Sequence, residues 1–363
     1  MRKYYLDNLR YGIVLLVVLY HVIYVFNSAG VITNISVQGI PQFDVLLYFV
    51  YPWFMALLFV ISGISTRYAL EHKASKLFLR ERVKSLLVPS IAGIFLLGWM
   101  SGYITSLSTD MFGGYGDTIP GFIKYLIYCL SGIGPLWFVH ELLLATLVLM
   151  LIRFADKKGK LLKLGEKTNL LVLLLLFFPV WGSAQILNTP VILVYRNGFY
   201  IFLFLLGYYV FSHDSVQELL KKYYLPFMIT AVIGGVAYTI YYFGDNYSSF
   251  TCLNTAFTNL YAWFMILAVL GFGKKWLNQR TAFTNYMAKR SFGIYVIHYP
   301  LMIVLAYVIT TYLSLPLWVN YIVLLITVVP CVILFYEIIS RVPIIRFLIL
   351  GKSSNKVKAR KQL

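Results

Sequence analysis

The sequence predicts an all-α, polytopic membrane protein with about ten transmembrane helices and both termini in the cytoplasm. Three observations carry that expectation. Of the 363 residues, 60% are hydrophobic and only 12% are charged, against about 25% charged in a soluble domain. Apolar runs of about 20 residues, the length that crosses a bilayer, recur along the whole chain. The formal net charge of +18 is unevenly spread: Lys and Arg gather in alternate connections, as cytoplasmic loops require.

The runs fall at 8–27, 45–66, 84–106, 134–153, 168–187, 196–212, 223–243, 253–273, 291–311 and 318–340. The first, "NLRYGIVLLVVLYHVIYVF", lacks a small-residue cleavage site and reads as a retained helix. Arg2 and Lys3 precede it. Basic connections follow as "RYALEHKASKLFLRERVK", "RFADKKGKLLKLGEK", Lys221–Lys222, "KKWLNQRTAFTNYMAKR" and the tail "KSSNKVKARK". The intervening loops hold only Lys124 and Arg196, beside Asp44, Asp110, Asp117 and Asp245. Such alternation fits an even number of spans. The stretch 107–133 opens with the turn-forming "STDMFGGYGDTIPG" and continues as "FIKYLIYCLSGIG", a short helix expected on the outer face. Residues 1–345 are expected to form one membrane-embedded domain. Residues 346–363 are expected to be a basic cytoplasmic tail suited to anionic lipid.

The clustering of charge argues against nucleic acid as a partner. Cys129, Cys252 and Cys331 lie far apart with no metal-ligand spacing, so no metal site is expected.

A few polar residues stand where lipid is expected. Arg10 and His21 share the first helix, about three turns and ~16 Å apart, on the same face. Arg10 would sit near the cytoplasmic boundary, in reach of Asp7 three residues earlier. His21 would sit well inside the bilayer, where polar groups are costly and mark pathways or sites. An imidazole there can take up and release a proton near neutral pH. An anchoring arginine and a hydrogen-bonded packing histidine is the plainer alternative.

Ser62, Gly63 and Ser65 of "FVISGIS" offer small side chains for close approach of a ligand, or simply soften a helix end. Arg80, Arg82 and Lys84 of "FLRERVKSLLVP" gather at the expected start of the third helix, where the dipole favours phosphate. Orientation bias alone is the plainer reading of them. "GPLWFVHELLL" puts His140 and Glu141 just inside the outer boundary, behind Trp137. Adjacent helical residues point about 100° apart, and a carboxylate facing lipid is expensive, so Glu141 is the better candidate for the interior. His298 of "RSFGIYVIHYP" lies in the ninth helix, with Pro300 expected to kink it.

In this order, these segments resemble acyltransferase family 3, the integral-membrane O-acyltransferases. The resemblance rests on the Arg10-to-His21 spacing within "LDNLR…LYH", and on "LLFVISGIS", "FLRERVKSLLVP", "GPLWFVHELL", "FYIFLFLLGYYV" and "SFGIYVIHYP". It covers essentially the whole chain. Arg80-Glu81-Arg82-Val83-Lys84 meets the family's paired-arginine spacing only loosely.

The resemblance implies transfer of an acyl group, usually acetyl, from cytoplasmic acyl-CoA to a hydroxyl of a cell-envelope glycan or glycolipid. The setting it implies is a bacterial plasma membrane. Acyl-CoA is then a donor substrate, and no permanently bound cofactor is expected. The roles that follow are His21 as general base with Arg10 and Glu141 beside it in catalysis. Arg80, Arg82, Lys84, Ser62, Gly63 and Ser65 would hold the donor. Trp137 and His298 would hold the acceptor, a glycan or lipid-linked sugar. A transporter or flippase of a lipid-linked saccharide is the alternative. It predicts an inverted repeat, which the sequence does not display.

Overall fold

The computed structural model describes residues 3–189 and 194–352. Among them there is no β-strand, only an isolated bridge between Asn188 and Arg196. The helices are α1 (Tyr4–Tyr24), α2 (Pro41–Val50), α3 (Phe54–Glu71), α4 (Ser75–Ser108), α5 (Gly121–Ser131), α6 (Trp137–Ala155), α7 (Lys160–Glu166), α8 (Leu170–Ser183) and α9 (Asn197–Tyr209). They continue as α10 (Asp214–Tyr242), α11 (Ala256–Trp276), α12 (Ala282–Tyr312), α13 (Leu317–Arg341) and α14 (Pro343–Leu350).

Eight segments of the described residues are long and apolar enough to cross a membrane, α2 and α3 counting together as one. The ten expected runs are all helical, but the fifth and sixth are shorter. α8 gives ~21 Å of helix against a hydrocarbon core of about 30 Å. A short helix does follow residue 107, as α5.

Local chemistry accounts for several ends. Asp7 lies in the first turn of α1, where a carboxylate suits the helix dipole. The Thr255 side chain accepts from the Thr258 amide and caps α11. Pro300 does not break α12, which runs on to Tyr312.

α4 differs most from expectation. It begins at Ser75, well before residue 84, because the Lys-, Leu- and Arg-rich stretch ahead of the apolar run is itself a good helix former. Two π-helical turns interrupt it, Val83–Leu87 and Ile94–Gly98. Pro89 has no amide to donate, and a shifted hydrogen-bond ladder accommodates that gap. Arg80, Arg82 and Lys84 therefore lie inside a helix, past the first turn where a dipole acts. The expected contribution of a helix N-terminus to phosphate binding there is corrected accordingly; the three cations themselves remain together on α4.

The chain divides into two compact units. The first comprises residues up to Leu16, Val45–Leu79 and Glu141–Lys289; the second comprises Val17–Asp44, Arg80–His140 and the chain from Arg290.

In the first unit, α3 and α9 touch backbone to backbone. A Cβ on Gly63 would lie 2.0 Å from the Phe204 carbonyl oxygen, and one on Gly207 would lie 2.3 Å from that of Val60. Small residues permit this approach in a membrane. Gly63, expected along a donor route, is thus occupied by helix packing. The start of α1 is tied down by Asn8, whose Nδ2 donates to the carbonyls of Leu277 (2.6 Å) and Gln279 (2.8 Å). Lys3 bonds Asp214 and, at 2.7 Å, Gln217.

In the second unit, a core of Leu136, Val296, Ile297, Tyr336, Ile349 and Leu350 joins the turn just before α6 with α12, α13 and α14. The loop after α1 is pinned by two tyrosines. The Tyr299 hydroxyl donates to Asn34 Oδ1 (2.5 Å), and Asn34 Nδ2 donates to Thr105 Oγ1 (2.6 Å). The Tyr321 hydroxyl donates to the Phe26 carbonyl (2.9 Å) and accepts from the Ile40 amide (3.2 Å). α14 runs through positions 345 and 346, where the basic tail was expected to begin. Residues 353–363 of that tail lie outside the described residues.

Candidate active site

Two histidines meet in the second unit. His298 is fully buried on α12, and His21 is partly exposed near the end of α1. His298 Nε2 lies 3.3 Å from His21 Nδ1. Helical geometry sets both rings. His298 Nδ1 reaches the Tyr295 carbonyl at 2.7 Å, and His21 Nδ1 reaches the Val17 carbonyl at 2.8 Å. Tyr299 packs edge-on against His21, with ring centroids 5.0 Å apart. Tyr299 is held in turn by Asn34.

The acceptors decide where the protons sit. A carbonyl oxygen only accepts, so His298 Nδ1 carries the hydrogen and its Nε2 keeps the lone pair. His21 Nδ1 faces two acceptors, the Val17 carbonyl and His298 Nε2, so it too carries its hydrogen. In the neutral ring that leaves His21 Nε2 unprotonated. Among the described residues nothing bonds that nitrogen. The arrangement is an oriented proton acceptor: one nitrogen anchored, the other open.

The remaining expected residues fall elsewhere. Arg10, in the first unit, donates to Ser65 Oγ at 2.7 Å and pairs with Asp7 at 3.3 Å. Ser65 is thus engaged by an arginine, and Ser62 is buried. Arg80 and Lys84 are exposed on α4 and Arg82 is half-buried, all three in the second unit. Trp137 is half-buried against Phe138, with ring centroids 6.4 Å apart. Glu141 is 1% exposed while its neighbour His140 is half-buried, so the carboxylate takes the interior position. Among the described residues, no three His, Cys, Asp or Glu side chains gather as metal ligands.

Nothing in the sequence signals that His298 meets His21 rather than standing alone. The pair is 277 positions apart, beyond the reach of any periodicity. Arg196 was also missed. It reads as an outer-loop charge yet is only 3% exposed. Its one available signal was isolation, as it and Lys124 are the only cations in the loops assigned to the outside.

Comparison with known proteins agrees with the segment pattern. The family model described as an acyltransferase domain, that of acyltransferase family 3, matches residues 3–337. Glucans biosynthesis protein C of Escherichia coli (strain SMS-3-5 / SECEC) is 25% identical over 375 aligned residues, covering 97% of this chain and 95% of that protein. The protein of the same name from Escherichia coli (strain K12) is 25% identical over 373, again covering 97% and 95%. No solved structure matches. An ordered series of membrane helices bearing the Arg10-to-His21 spacing, matched almost end to end by that family model, makes this chain a member of acyltransferase family 3, a multi-pass membrane acyltransferase.

Proposed function

We propose that the protein moves an acyl group, acetyl by preference, from cytoplasmic acyl-CoA to a hydroxyl of a cell-envelope glycan, in a bacterial plasma membrane. The name shared by the relatives, glucans biosynthesis protein C, points the acceptor toward a glucan. One observation carries the chemistry: a histidine on the first helix whose Nδ1 is committed to two acceptors and whose Nε2 is free.

The step balances without a bound cofactor. His21 Nε2 takes the proton of the acceptor hydroxyl as its oxygen attacks the thioester carbonyl carbon. A C–O bond forms and the C–S bond breaks. The proton passes to the departing sulfur, and free CoA leaves. His298 holds the ring in the tautomer that makes this possible. Arg80, Arg82 and Lys84 take the phosphates of the donor, with Arg80 and Lys84 exposed on α4 and Arg82 half-buried beside them.

The test is transfer of label from radiolabelled acetyl-CoA to a linear glucose oligosaccharide by the purified protein in lipid nanodiscs. Label that reaches the sugar supports the reading; folded protein that leaves the sugar unlabelled contradicts it. The donor assignment is tested separately. Arg80→Ala with Arg82→Ala should raise the KM for acetyl-CoA about tenfold or more, through loss of charge-assisted bonds. The KM for the sugar should stay unchanged. An unaltered donor KM would remove these residues from the donor site.

A further inference from the structure

The His21 ring is met from two helices. Tyr20 and Tyr24 of α1 have ring centroids 5.1 and 5.7 Å from it, but rings on its own helix move with it. From α12 come His298 at 5.1 Å and Tyr299 at 5.0 Å. Consecutive helical side chains leave the axis about 100° apart, so these two reach the imidazole from different directions. His298 engages its Nδ1 edge. Tyr299 stands at 69° to its plane, a contact that obstructs rotation of the ring.

A neighbour can confine a ring only if it is itself fixed. Tyr299 is 5% exposed and is gripped from two sides. On one side runs a chain of hydrogen bonds with a single direction. The Thr105 hydroxyl spends its hydrogen on the Ser101 carbonyl (2.9 Å), so its oxygen accepts from Asn34 Nδ2 (2.6 Å). That orients the amide and turns Asn34 Oδ1 toward the Tyr299 hydroxyl, which donates to it at 2.5 Å.

On the other side is the turn before α6. Gly134 has a φ of +47°, and a Cβ there would lie 2.7 Å from Tyr299 Cδ1, so the ring occupies the space of a side chain. The next residue, Pro135, accepts from the Tyr295 hydroxyl at 2.5 Å, and the Tyr295 carbonyl is the group that holds His298 Nδ1. The glycine and proline of "GPLW" thus brace both α12 residues that meet His21.

We propose that Tyr299 is a positioning residue for His21, held rigid by Asn34 on the loop after α1 and by Gly134 on the turn before α6. The proposal rests on the reading of His21 as the proton acceptor of an acyl transfer. Tyr299 takes no proton. It confines the imidazole so that Nδ1 stays against its two acceptors and Nε2 keeps one direction.

Tyr299→Leu removes the ring and keeps an apolar side chain. In nanodiscs, with acetyl-CoA and a linear glucose oligosaccharide, it should lower kcat about 10- to 100-fold and leave both KM values unmoved. In ¹⁵N spectra of histidine-labelled protein, the neutral His21 ring should pass from one tautomer to a mixture of both. A packing role alone predicts a lower melting temperature with kcat and tautomer unchanged. A folded variant that keeps the wild-type kcat, or keeps the single tautomer, overturns the proposal.

Asn34, half-buried on its loop, carries the test even where Tyr299→Leu misfolds. Asn34→Leu removes the acceptor of the tyrosine hydroxyl and should lower kcat about fivefold, the worth of one hydrogen bond. Asn34→Asp keeps an acceptor oxygen and should restore most of that loss; an aspartate as slow as leucine overturns the proposal. Wild-type protein that transfers no label, with mixed His21 tautomers in Tyr299→Leu, would defeat the proposed function and leave the positioning role standing. Transfer by the wild type, with kcat and tautomer unaltered in Tyr299→Leu, would do the opposite.

Discussion

His21→Ala should lower kcat/KM for acyl transfer by about 10²–10⁴-fold, the range that a positioned general base supplies. The loss should appear chiefly in kcat, because the proton is taken in the transition state and not on binding. The substitution removes a partly exposed ring near the end of α1, so the fold should survive. Unchanged melting in detergent is the control. A folded variant that still transfers acyl groups at the wild-type rate would remove His21 from the reaction and leave only its place in the helix bundle.

The second large effect belongs to a residue that need not touch either substrate. His298 acts through His21, by accepting from Nδ1 at 3.3 Å. Without that acceptor His21 keeps only the Val17 carbonyl, and the ring is freer to turn or to protonate at the wrong nitrogen. His298→Phe should therefore lower kcat about 10- to 100-fold with little change in either KM, as loss of an orienting partner does at comparable sites.

The sharper comparison is His298→Gln. A glutamine oxygen can take the place of the imidazole Nε2 and accept from the same hydrogen. It should recover much of the rate that phenylalanine loses. A purely packing role predicts the reverse order, because phenylalanine fills the buried volume better than a polar amide. Kinetics of the two variants side by side separate positioning from packing.

Sequence and structure agree where the physics is one-dimensional. Bilayer thickness sets run length, so the apolar runs and the helical character of the described residues were legible in the sequence. The start of α4 was not, because hydropathy marks only the part of a helix that meets lipid. Ser75–Lys84 continues the same helix in polar dress.

The site was legible in part. His21 stood out because a polar ring in an apolar run is costly. What makes it a directed base did not. The Val17 carbonyl one turn back is implicit in any helix, but His298 arrives from α12, and only the fold brings the two rings together. The surroundings of Gly63 and Arg196 were not legible either. A glycine facing Phe204 is a fact of packing, visible only once α3 and α9 are assembled, and Arg196 is buried at the start of α9, over the Phe199 ring three residues on.

The central claim is that the histidine pair presents an unprotonated Nε2 on His21. Solid-state ¹⁵N spectra of histidine-labelled protein in lipid, with the His21 signals assigned by their loss in His21→Ala, read that atom directly. A neutral His21 ring protonated at Nδ1 with bare Nε2 is the predicted result. Protonation at Nε2 with bare Nδ1 would contradict it, because the nitrogen meant to receive the acceptor's proton would already hold one.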